Sequence, residues 1–231
     1  MTFPQNLRFS TLEEVGAFER MVQECHLALT GAPAFEWASL EDGWVVFHQF
    51  KNGGRPFSAL LDLRLAVFAL QCELMEIRNE VSAESRREAA GEPPDPQARL
   101  KLFRINSSYI LRTRAILDKV MGFVVMTAHP EEYDSFRRKK RSRKKAFEKL
   151  SASRTQAIGP LSTYLGGFID LFDRSYRTAE AHDTGSVRTW VFGKIGGFDG
   201  PQADMFSAWN SLHPLLSLIG SALKEARANL A

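Results

Sequence analysis

The chain has little cysteine. Its 231 residues include two, Cys25 and Cys72, with no C-x-x-C pair between them. That rules out a disulfide-stapled secreted scaffold and fits reduced thiols in a cytosol, with both cysteines expected as small core residues. Five histidines, at 26, 48, 129, 182 and 213, form no H-x-x-x-H and no Cys/His cluster, so the usual zinc spacings are missing. No uncharged apolar run reaches the roughly 18 residues of a spanning helix. The opening MTFPQNLRFSTLEE lacks the basic and apolar regions of a secretory leader. A soluble, cytoplasmic protein is expected, with no membrane partner. Also missing are G-x-x-x-x-G-K-[ST], a G-x-G-x-x-G after a strand, a Ser-His-Asp pattern, internal repeats and low-complexity linkers.

What is present is apolar periodicity. With 44% hydrophobic and 25% charged residues the chain can bury a sizeable core without staples. Leu60, Leu63, Val67, Leu70, Leu74, Ile77 and Val81 alternate three- and four-residue steps, which predicts one long helix from about 57 to 88. GEPPDP at 91–96 ends it. A second helix is predicted over 99–128, with Tyr109, Ile116 and Phe123 seven apart and Ile110, Leu117, Val120 and Val124 beside them. A third runs from Pro160 to about Glu180 on Leu161, Leu165, Phe168, Phe172 and Tyr176. The last starts near Pro201 and repeats Met205, Trp209, Leu212, Leu216, Ile219, Leu223 and Ala226, with Pro214 expected to kink or divide it. With a shorter helix at 11–30, these make an all-α bundle of about five to six helices in one domain, residues 1–56 packing on a core of 57–231. The segment WVVFHQFKNGGRPF, 44–57, has the β-branched run and Asn-Gly-Gly turn of a short hairpin.

Charge is uneven. The segment RRKKRSRKK comprises Arg137, Arg138, Lys139, Lys140, Arg141, Arg143, Lys144 and Lys145 around one serine, and without it the +3 chain would be net acidic. Such a run attracts a phosphate backbone through counterion release without reading bases. Its aromatics, Phe136 and Phe147, flank the run rather than interleave it, so base stacking is not indicated within it.

The stretch RSYRTAEAHDTGSVR sets Arg177 five residues before His182, with Arg174, Glu180 and Arg188 around them. Histidine titrates near neutrality and arginine is a fixed cation, the two groups that phosphodiester cleavage needs. The following DTGSVRTWVFGKIGGFDG carries glycines with Arg188 and Lys194, able to bend over a phosphate. An arginine, a polar residue and then a histidine, here Arg177, Thr178 and His182 in RTAEAH, resembles the motif of the HEPN superfamily of four-helix bundles. Thr178 departs from the Asn, Asp or His usual after that arginine. The resemblance implies an RNA-binding protein or metal-independent ribonuclease acting as a homodimer, with Arg177 holding the scissile phosphate and His182 as acid/base. Arg174, Glu180, Arg188 and Lys194 would support them.

Two other readings fit the residues. One is a non-catalytic bundle that binds nucleic acid, a nucleotide or a protein partner. The other, faintly similar to the all-α nucleotide pyrophosphohydrolases, uses Glu73 and Glu76 on one helix and Asp170 and Asp173 on another to hold Mg²⁺ against nucleotide phosphates.

Overall fold

The computed structural model describes residues 11–48, 54–139, 143–152, 158–178 and 201–228. Among these it contains eight α-helices and no strand: α1 (Leu12–Thr30), α2 (Leu40–His48), α3 (Gly54–Ala89), α4 (Pro96–Ala128), α5 (Tyr133–Arg138), α6 (Arg143–Ala152), α7 (Ile158–Phe172) and α8 (Pro201–Ala228). No helix among the described residues is long and apolar enough to cross a membrane.

The ends of the helices follow from local chemistry. Thr11 and Glu14 form a reciprocal capping box on α1, and Gly31, at φ 72°, closes its other end. Asp95 caps α4, with Pro96 in the first turn where no amide donor is needed. Between α3 and α4 the chain turns at Gly91, also at φ 72°.

The α3–α4 hairpin is the frame. All seven stripe residues of α3 are buried, as are Tyr109, Ile110, Ile116, Leu117, Val120, Phe123 and Val124 of α4. Near the hairpin's tip, Glu84, only 1% exposed, is paired with Arg99 at 3.0 Å, and Arg99 also reaches Glu88 at 2.9 Å. One flank of the frame carries α1 and α2. Arg64 of α3 joins them, pairing with Glu19 at 2.6 Å and donating to the Ala38 carbonyl, while Glu19 accepts the Leu40 backbone N–H at the start of α2. On its other flank α4 meets α5, α6 and α7. Helix α8 bridges α2 and α7 and buries Leu212, Leu215, Leu216, Ile219 and Leu223.

Three expectations change. Residues 44–48 lie in α2 and 54–57 in α3, so no hairpin forms on them: Trp44 packs edge-on to Phe57 at 5.0 Å, and burial against α3 outweighs the β-preference of Trp44-Val45-Val46. Pro214 sits inside α8 and does not divide it. Cys25 is exposed on α1 and Cys72 half-buried, so neither is a core residue; burial, with nearby Glu73 adding, pushes the Cys72 thiol up.

Candidate functional site

Helix α7 does not end at Phe172. Residues Asp173–Arg177 form a π-helical turn, in which the Thr178 amide reaches back to the Asp173 carbonyl. A π turn holds one residue more than an α turn, and such turns concentrate at functional sites. Aromatic packing anchors its inner side: Phe168, Phe172 and Tyr176 follow one another at ring separations of 6.0 and 5.3 Å. With Tyr176 held inward, Arg177 faces outward at 45% side-chain exposure, its guanidinium 3.5 Å from Asp173.

Asp173 is shared. Arg114 of α4, 14% exposed, approaches it at 2.9 Å and Asp118 at 2.7 Å, and Asp118 in turn faces Arg143 of α6 at 3.9 Å. Arg143 also lies over the Phe136 ring, 5.9 Å from its centroid. The result is an alternating chain, Arg143, Asp118, Arg114, Asp173, Arg177, which runs across α4 and joins the basic segment to the arginine of RTAEAH. Three cations face two anions, and around them Arg137, Arg138, Lys139, Lys145 and Arg174 are exposed. The charge chain itself is therefore net positive. A pinned arginine loses less freedom when it takes a phosphate, and the guanidinium fork matches phosphate oxygens two at a time.

The structure brings the basic segment and Arg177 onto one edge, while His182, Glu180, Arg188, Lys194, Lys140 and Arg141 lie outside the described residues. Lys144 is turned toward α7, bound to Asp170 and 3.5 Å from Glu148. Burial alone would lower its pKa, but those two carboxylates prevail and hold the ammonium above its ordinary value.

Each carboxylate of the Mg²⁺ alternative faces a cation. Glu73 accepts from Ser108 at 2.8 Å and Arg112 at 3.1 Å, Glu76 pairs with Lys101 at 3.1 Å, Asp170 with Lys144, and Asp173 with Arg114 and Arg177. Residues two apart on a helix point roughly 200° apart, so Arg112 and Arg114 hold Glu73 and Asp173 on different sides of α4. Among the described residues no three His, Cys, Asp or Glu side chains converge as metal ligands.

Sequence reasoning missed Arg114 and Asp118, which make the chain continuous. The only local signal was their i, i+4 spacing. It also missed a cleft beside the chain, bounded by α3, α4, α5 and α6, with a volume of about 230 Å³. No family model, curated protein or solved structure matches this chain.

Proposed function

We propose that the protein is an RNA-binding bundle of HEPN type, cleaving RNA through Arg177 and His182 without a metal. The observation that supports it is the charge chain: it ties Arg177 to Arg143 and so makes the basic segment and the motif arginine one phosphate-binding edge. An extended RNA strand crosses that edge phosphate by phosphate. Arg137, Arg138 and Lys139 supply non-specific attraction, and Arg174, Arg188 and Lys194 supplement it near the scissile bond.

In the reaction, neutral His182 takes the proton of a ribose 2′-hydroxyl, whose oxygen attacks the adjacent phosphorus. Arg177 stabilises the charge growing on the non-bridging oxygens. The 5′-oxygen departs with the proton that His182 had accepted, which returns the histidine to its neutral form and leaves a 2′,3′-cyclic phosphate on one fragment and a 5′-hydroxyl on the other. Glu180 orients the histidine, and a homodimer would place two motifs along one strand.

The test is cleavage of a mixed RNA pool in EDTA by wild type, Arg177→Ala and His182→Ala, with the product ends analysed. Cyclic phosphate ends from wild type alone are expected. If wild type binds RNA with steep salt dependence but leaves it intact, the catalytic half of the proposal fails and the bundle is a binding protein. Absence of both activities overturns it entirely.

A further inference from the structure

The cleft beside the charge chain has a composition that the phosphate edge alone does not explain. Its floor is buried Phe123, Met126 and Phe136, and half-buried Tyr133 stands at one wall. Lys119, Arg137 and Arg143 reach its mouth, and so do two carboxylates, Asp62 and Asp118. Lys119 pairs with Asp62 across the α3–α4 seam. Arg143 lies over the Phe136 ring and approaches Asp118 at 3.9 Å, and its Nε is buried with no acceptor among the described residues.

Gly122 is the more telling residue. It lies in the interior of α4 and lines the cleft, yet a Cβ placed on it would meet nothing within 4 Å. A helix-interior glycine costs stability relative to alanine. Here no neighbour requires the missing side chain, and what its absence does is keep the cleft deep.

We propose that this cleft binds a nucleoside monophosphate unit whose base bears an exocyclic amine. The apolar floor and Tyr133 take the flat ring. Arg137, Arg143 and Lys119 take the phosphate. Asp62 and Asp118 retain lone pairs beyond those used by their cations and accept from the amine. A fatty acid or simple carboxylate satisfies the cations but leaves the acceptors unused, and inorganic phosphate leaves the floor unused. The volume of about 230 Å³ lies below the roughly 300–1,000 Å³ of pockets that enclose a drug-sized ligand, so the cleft takes the flat base of one nucleotide unit while its sugar and phosphate lie at the open side. The unit can be a free nucleotide or one residue of a single strand. The choice of ligand class draws on the RNA reading above, whereas the location and shape of the site do not.

The test is calorimetric binding of AMP, CMP, UMP, inorganic phosphate and a short single-stranded RNA to wild type, Gly122→Leu and Arg137→Glu. Gly122→Leu fills the cleft from a position with open space, and thermal melting checks its fold; Arg137→Glu changes an exposed side chain. Wild type is expected to bind AMP and CMP more tightly than UMP or phosphate, and each variant to lose about tenfold or more of that affinity. RNA binding that survives both variants, with no mononucleotide binding, overturns the cleft site and leaves the RNA reading standing. Mononucleotide binding lost in both variants, with no RNA binding by wild type, upholds the cleft and overturns the RNA reading. Equal affinity of wild type and both variants for AMP overturns the site.

Discussion

Replacing Gly122 and Gly220 by alanine, one at a time, tests the packing of α4 and α8 with opposite expected signs. At Gly122 the new methyl meets no atom within 4 Å, so the exchange contributes only the gain in helix propensity, about 1 kcal/mol. At Gly220 the same methyl would overlap the Trp37 carbonyl oxygen and lie 2.7 Å from its carbonyl carbon. Those atoms belong to backbone that cannot easily withdraw, because Trp37 is 4% exposed and the next carbonyl, of Ala38, accepts from Arg64. Relief requires α8 to lift from this segment, where Phe35 packs on Trp209 and His213. Overpacking of this kind costs about 3 kcal/mol, and crediting the propensity gain leaves a net loss near 2 kcal/mol or more. For a chain of this size 1 kcal/mol corresponds to about 2–4 °C in Tm, so Gly122→Ala should rise by about that much and Gly220→Ala fall by about 4–8 °C or further. Thermal unfolding followed by circular dichroism, with tryptophan emission as a second probe, reads both. An unchanged or raised Tm for Gly220→Ala would refute the close seating of α8 on Trp37, and a lowered Tm for Gly122→Ala would refute the open space beside α4.

Further outcomes follow from the ion pairs. Arg64→Met should destabilise the fold by about 3 kcal/mol in urea unfolding, since it strands Glu19 and the Ala38 carbonyl in a partly buried seam. A loss under about 0.5 kcal/mol would mean that the pair adds nothing to the α1–α3 contact. Burial raises the pKa of Asp42, but hydrogen bonds from Arg227, at 2.6 Å, and Ser39, at 2.7 Å, with the charges of Arg227 and Lys224, outweigh it and hold the carboxyl below its ordinary value. Stability from a depressed carboxylate is present above its unfolded pKa and lost as pH falls through the folded one. Wild type should therefore exceed Asp42→Asn in melting temperature near pH 6, and the gap should close below about pH 4; a gap that widens in acid contradicts the assignment. Replacing Arg137, Arg138 and Lys139 together by alanine should flatten the log–log salt dependence of single-stranded RNA binding by about two units, and an unaltered slope would remove these residues from the contact.

The long helices were legible because their cores are periodic: the α3 stripe and the α4 heptad positions named from spacing are all buried. Residues 44–48 were ambiguous in sequence because Trp44, Val45 and Val46 favour strands locally, while what fixes them is Phe57 and the flank of α3. Cysteine is usually buried, and nothing local showed that Cys25 would fall on the outer face of α1. The candidate site was legible only in its parts. The basic run and Arg177 stand out as residue types, but their connection passes through Arg114 and Asp173, which are distant in sequence and meet only once α7 packs on α4. Gly122 carries no signal in the sequence, because what marks it is the open space beside it.

The Glu84–Arg99 pair at the hairpin tip has consequences far from itself. An apolar seam between two long helices tolerates sliding by one turn, since leucine faces leucine or isoleucine almost as well. A buried ion pair does not tolerate it: the slide would part Glu84, 1% exposed, from Arg99 and leave it only Arg87 of its own helix, 3.8 Å away. The pair thus acts as the zero mark of a ruler. Counting back from Glu84 to Asp62 at 1.5 Å per residue gives about 33 Å, and over that length the mark, kept by the Glu76–Lys101 and Glu73–Arg112 pairs between, determines that Asp62 meets Lys119 and that the cleft walls stand opposite each other. Alignment at one end of the rod is what gives the other end its shape.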